Sequence, residues 1–190
     1  MKFSLMLLSL FVSVVSLAQK KDCDIDYVIE NDSTRFTKTN DYLFVERSYK
    51  PALESVYIAL VKSEETAYVQ LQFLQKDALF IPTTCVDAKS LITFQLLDGT
   101  IVNLRHAQDD YCNSLSFDPE QQANIRILST YFQIEKDDIA KLKKSPVSVM
   151  RLRFSTAVFT YEVVEKLASK SVDKTYFPTR YFIENIACVE

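Results

Sequence analysis

Few residues in this 190-residue chain have the type and spacing to do chemistry. The single histidine, His106, is followed by Asp109, Asp110 and Cys112. A thiol and an imidazole this near in sequence could form a dyad, the imidazole taking the thiol proton so that the thiolate attacks. That chemistry needs Cys112 to be free. The four cysteines are Cys23, Cys85, Cys112 and Cys188, and even Cys85 and Cys112 are far apart in sequence. Zinc sites use close pairs such as C-x-x-C, so the spacing predicts disulfides and no metal site. One glycine cannot build a phosphate-cradling loop or a dinucleotide fingerprint, and no cofactor is expected. His106 is read as a strand-end histidine beside a disulfide, and no residue is assigned a catalytic role.

Two groups could bind rather than react. Lys141, Lys143, Lys144, Arg151 and Arg153 form one basic cluster, a candidate face for an acidic partner. Arg151 and Arg153 alternate with Met150, Leu152 and Phe154, which places both arginines on the outer side of a strand. Tyr42, Tyr49, Tyr57 and Tyr68 are candidates for a tyrosine face toward a glycan or a protein. The formal charge of −3 gives no basic footprint for nucleic acid.

The first residues carry Lys2, an apolar run from Phe3 to Val15 and a Ser16-Leu17-Ala18 ending. That pattern predicts a signal peptide over 1–18, cleaved before Gln19. The apolar run falls short of the ~20 residues that span a bilayer. Once it is removed, no membrane span is expected. A single domain, 19–190, is expected in a periplasmic or secreted setting.

The positioning elements are mostly strands. In "LITFQLLDGTIVNLRH", Asp98-Gly99 marks a hairpin turn. A two-residue loop would mix the faces. A three-residue loop, Leu97-Asp98-Gly99, pairs Leu96 with Thr100 and gathers Ile92, Phe94, Leu96, Val102 and Leu104 on one side. Register follows the clean face, and the third loop position then needs a left-handed residue, which glycine supplies. Cys85 and Cys112 leave the same end of this hairpin by short tethers. Of the three pairings open to four cysteines, this geometry selects Cys85–Cys112 and leaves Cys23–Cys188.

Further strands are expected at Asp41–Tyr49, Ser55–Val61, Thr66–Leu74 and Asn124–Ile134, with a strand pair after Pro146. A short helix is expected at Glu135–Lys144, its acids first and its lysines last, as the helix dipole favours. A second follows Pro178, with an apolar stripe of Phe182, Ile183 and Ile186. About eight strands and two helices predict a β-dominated fold, mainly antiparallel, a sandwich or curved sheet, with α+β as the fallback.

The "SLAQ" ending, "LITFQLLDGTIVNL" between two cysteines, "DDIAKL", "SPVSVMRLRF" and "FIENIAC" together resemble small uncharacterised exported proteins of Bacteroidetes-type bacteria. The resemblance spans roughly Cys85 to Cys188. It implies export and the stapled hairpin, and it carries over no catalytic residue. The expectation is an exported, non-catalytic binding or envelope-associated protein, its partner an envelope protein or a glycan. The alternative is a carboxylate-based envelope hydrolase, which would show a deep cleft with carboxylates in close approach.

Overall fold

A computed structural model describes residues 23–31 and 34–190; the expected leader at 1–18 and its cleavage point lie outside the described residues. In chain order the strands begin with β1 (Ile25–Asn31), β2 (Thr34–Thr39), β3 (Tyr42–Tyr49), β4 (Ala52–Ser63) and β5 (Thr66–Asp77). They continue with β6 (Cys85–Val86), β7 (Leu91–Leu96), β8 (Ile101–His106), β9 (Tyr111–Cys112), β10 (Leu115–Asp118) and β11 (Ala123–Ile134). Helix α1 (Lys136–Lys144) leads to β12 (Val147–Arg153), β13 (Val158–Glu162), β14 (Leu167–Ser169) and β15 (Lys174–Tyr176), and α2 (Tyr181–Asn185) follows. Strand accounts for 57% and helix for 13%, so the fold is β-dominated and the α+β fallback is not needed.

One antiparallel sheet runs β1-β2-β4-β5-β11-β8-β7-β12-β13, with β3 added beside β4 and β10 beside β11. It curls until β13 returns to β3 and β4. Side chains close that seam. Arg47 Nη2 donates to the Thr160 carbonyl at 3.1 Å, and its guanidinium lies 4.4 Å from the Tyr161 ring centroid. Tyr161 Oη donates to Glu54 Oε1 at 2.9 Å. Its ring is buried, and burial beside Glu54 pushes its pKa well above the ordinary tyrosine value.

Between the two halves of the curled sheet lies a core set by period-two alternation. β5 contributes Ala67, Val69, Leu71 and Phe73, and β4 contributes Val56, Ile58 and Leu60. Phe94 sits 5.9 Å from Phe44 and 5.0 Å from Phe182, ring centroid to centroid. The β7–β8 hairpin adopts the three-residue loop: Leu96 N–H donates to the Thr100 carbonyl at 2.9 Å. Gly99 has φ +86°. Ile92, Phe94, Leu96, Val102 and Leu104 are all buried. Beyond the hairpin, β6 and β9 continue it as a short ribbon in which Cys85 stands opposite Cys112, joined as a disulfide. The second disulfide is Cys23–Cys188.

Some elements were not in the sequence reading. β1 is exposed along nearly all its length, so burial imposes no pattern on it. β6, β9, β14 and β15 have two or three residues each, too short to show a period. In the terminal segment Pro178 opens a 3₁₀ turn and α2 has only five residues. The buried stripe is therefore Tyr181, Phe182 and Ile186, while Ile183 turns outward at 37% exposure. Tyr181 takes the inner position because its ring packs 4.6 Å from Tyr42 and 6.3 Å from Phe44.

Candidate functional site

The candidate site is built on the outer face of β4, β5 and β11. These three strands pair over eleven or so residues each way, from Leu53↔Lys76 to Ser63↔Thr66 and from Asn124↔Asp77 to Ile134↔Ala67. Long ladders hold their outward side chains in fixed relation. Parity puts Tyr68, Gln70 and Gln72 of β5 on this side, with Tyr131 opposite Gln70 and Gln133 opposite Tyr68. On β4 the outward Ala59 and Val61 are fully covered, roofed by longer neighbours.

Phe36 of β2, Tyr68 and Tyr131 surround a hollow of about 180 Å³, whose floor and rim are Val61, Ser63, Ala107 and Gln108. All three rings are half-buried, so each keeps a face toward the hollow and solvent. Tyr27 braces Phe36 from behind in a stack at 5.6 Å. Tyr68 and Tyr131 meet edge to face, centroids 6.5 Å apart. Burial raises the Tyr131 pKa, so its hydroxyl stays protonated and can donate. Gln70 gives its amide N–H to Ser129 Oγ at 3.4 Å, while its Oε1 is buried with no partner among the described residues.

His106 lies on the core side of the rim, behind Gln108. Its ring faces the core side, 5.7 Å from Phe132, and Nε2 lies 2.7 Å from Thr130 Oγ1. Thr130 Oγ1 donates to Gln108 Oε1 at 3.1 Å. A hydroxyl has one proton, so with that proton on Gln108 the histidine donates from Nε2. The relay fixes the Gln108 amide at the rim. Cys112 is in a disulfide, which removes the thiol–imidazole dyad. Burial lowers the His106 pKa, against the charges of Asp110 and Asp87.

A pH test follows from that shift. The folded state binds fewer protons than the unfolded chain near the unfolded value of about 6.5. Stability therefore rises with pH through that window and is lost as pH falls below it. His106→Gln should flatten this part of the profile relative to wild type, read as denaturant midpoint from pH 7.5 to 5.5. Parallel curves for the two proteins would remove His106 as the cause.

The other predicted residues are distributed differently from the sequence reading. The basic cluster divides. Lys141 pairs with Asp138 at 2.7 Å, Lys143 pairs with Glu190, and Lys144 lies near Asp98 at the hairpin loop. Arg151 and Arg153 stand on the outer face of β12. The reason is the chain reversal at Ser145-Pro146: α1 packs Leu142 into the core, and β12 then runs away from it along β7. The arginines instead join Arg105, because Arg105 pairs with Leu91 and Leu91 with Arg153. Of the tyrosines, Tyr68 is in the hollow. Tyr42 packs against the core, its hydroxyl accepting the Phe177 N–H at 2.6 Å, and Tyr49 stands exposed at the β3–β4 turn.

Two polar centres were not expected from the sequence. Lys38 is buried between Asp26 and Asp41, its Nζ at 3.1 and 3.0 Å from them. Burial alone would lower its pKa, but the hydrogen bonds and charges of Asp41 and Asp26 raise it. Arg126, also buried, donates to the carbonyls of Ile81 at 2.8 Å and Asn113 at 3.0 Å. Its signal was present: Arg126 shares parity with Leu128, Thr130 and Phe132, an inward charge in a strand. It pins the loops beside the Cys85–Cys112 bond.

Among the described residues, no three His, Cys, Asp or Glu side chains gather as a metal site, and no helix is long and apolar enough to cross a membrane. Two disulfides are compatible with an oxidising compartment. No protein-family model, no curated protein and no solved structure matches this chain.

Proposed function

We propose that this chain is an exported, non-catalytic binding protein of the periplasm or cell exterior, and that its ligand is a glycan. The observation that carries this is the hollow between Phe36, Tyr68 and Tyr131. A sugar ring has C–H faces and hydroxyl edges. The faces pack on aromatic rings, and the hydroxyls need donors and acceptors in plane with them. The hollow offers both, with Gln108 and Ser63 beside the three rings. Its volume suits one pyranose ring and is well below a drug-sized pocket of ~300–1,000 Å³. The rings need no ordering on binding, because long ladders already hold β5 and β11. The leader pattern and the two disulfides support the exported setting.

The hydrolase alternative gains nothing from the geometry. Asp26 and Asp41 do come together, but both are committed to Lys38, and Asp41 also accepts from Gln72 at 2.9 Å. The open groove beside α1 carries Glu65, Glu135, Asp137 and Glu190 together with Lys62 and Lys136. Its Glu190 is tied to Lys143, and its carbonyl accepts from Lys62 at 2.7 Å.

The test is binding of the oxidised chain to a panel of immobilised neutral and acidic polysaccharides, repeated with Tyr68→Ala/Tyr131→Ala. Retention of at least one glycan is expected, with affinity lowered about five- to 150-fold by the double substitution, since stacking on two rings at about 0.5–1.5 kcal/mol each amounts to about 1–3 kcal/mol. No retention by any member, or retention untouched by the substitutions, would reject the reading.

A further inference from the structure

The outward face of the sheet does not stop at the hollow. Gln133, opposite Tyr68 on one side, is opposite Arg105 on the other. Ala107, two residues beyond Arg105, lines the hollow and donates its N–H to the Tyr131 carbonyl at 3.0 Å. Arg105 is thus the next outward residue past the aromatic rings. Beyond it, across Leu91, stands Arg153, and Arg151 follows two positions along β12.

These arginines are free to bind. Arg105 and Arg151 make no hydrogen bond or ion pair among the described residues. Arg153 gives one bond, Nη2 to the Lys89 carbonyl at 2.9 Å, and its fork has further donors. Glu162 is the carboxylate on this face, opposite Val149 and beyond Thr160, and it pairs with none of the three. Leu91 stands between Arg105 and Arg153; in the next outward row Thr93 lies between Asn103 and Arg151, with Thr160 on the far side of Arg151. Thr93 donates to Asn103 Oδ1 at 2.8 Å, leaving the Asn103 amide N–H groups outward. No aromatic side chain faces out here, so nucleic-acid bases would find no stacking surface.

We infer that the glycan is acidic, a polysaccharide whose carboxylates are held by Arg105, Arg153 and Arg151 while a neighbouring ring occupies the hollow. This rests on the glycan reading above. Two strand spacings put Arg105 and Arg153 about 10 Å apart at their Cβ atoms, the span of two sugar units in an extended chain. Arg151 and Arg153 are about 7 Å apart along one strand. Guanidinium forks match carboxylates bidentately, and the Thr93 hydroxyl and Asn103 amide in the adjacent row match sugar hydroxyls. A polymer with anions repeated along it meets this row of cations in register.

The test uses polygalacturonate and its fully methyl-esterified form, which share a backbone and differ in charge. The oxidised full chain should bind the acid at least tenfold more tightly than the ester, and the difference should shrink as salt rises. Arg105→Gln/Arg151→Gln/Arg153→Gln should abolish the preference; the triple lysine variant, which keeps charge and loses the fork, should restore it only in part. Thermal unfolding of each variant checks that it folds. Equal affinity for acid and ester, or a preference that survives the glutamine variant, overturns the inference. If binding then still depends on Tyr68 and Tyr131, the glycan reading stands without it. If neither polymer binds, this inference falls, and the wider panel decides the glycan reading.

Discussion

Cys23→Ser/Cys188→Ser should lower the unfolding free energy by about 5 kcal/mol, the largest single loss expected for this protein. The bond closes a loop with a sequence separation of 165. In the chain-entropy account the stabilisation grows with the logarithm of loop length. The Cys85–Cys112 loop, with a separation of 27, should by the same relation contribute about 3.5 kcal/mol. The long loop also has a packing role. Ile186 and Val189 flank Cys188 and are buried, and Cys23 leads into β1, whose own side chains are mostly exposed. Without the bond, β1 depends on its ladder with β2, and ends so held tend to fray. Urea unfolding of the double variant, the Cys85→Ser/Cys112→Ser variant and wild type measures both terms. A loss below about 1 kcal/mol for the terminal pair, or a larger loss for the hairpin pair, would contradict the loop-length ordering.

Phe94→Ala should cost about 3–5 kcal/mol, as large-to-small changes in well-packed cores do. Phe94 is fully buried and forms a three-ring cluster with Phe44 and Phe182. It therefore joins β3, β7 and α2. Removing the ring takes away its transfer free energy and leaves a cavity that neighbours on rigid strands cannot collapse into. The adjacent Gln95 points outward and is exposed, so Gln95→Ala should stay within about 0.5 kcal/mol. The contrast between neighbours tests the register directly. Comparable losses at 94 and 95 would mean that the alternation does not divide core from surface here.

Local pattern made β5, β7, β8 and β12 legible in the sequence. In each, one residue in two is apolar, and a strand with one buried face must present that face inward. The turn at Gly99 was legible for a similar reason, since one register alone gave a clean face and needed a left-handed residue where the glycine stands. β1 and β2 were not legible. They leave the body of the sheet as a hairpin with much of its surface exposed, so burial selects no pattern there. Arg126 could have been read from its parity on β11. Lys38 could not, because its two carboxylates come from different stretches of chain.

The candidate site shows the same division. Parity alone placed Arg151 and Arg153 outward and Tyr68 opposite Val69. What parity cannot give is strand order. The hollow takes Phe36 from β2, Tyr68 from β5, Tyr131 from β11 and Gln108 from the loop after β8. Arg105 stands beyond it, next to Gln133, because β8 pairs with β11, a contact set by how the sheet curls.

The sequence by itself determined which residues of β5, β7, β8 and β12 face in, where the hairpin turns and that Cys85 can meet Cys112, because these depend on alternation and short tethers. The tertiary structure alone decided that the lysines of α1 part from the arginines of β12, and that Arg105 joins Arg151 and Arg153 beside an aromatic hollow. Those groupings depend on strand neighbours distant in sequence, and strand neighbours are chosen by closing one sheet around one core.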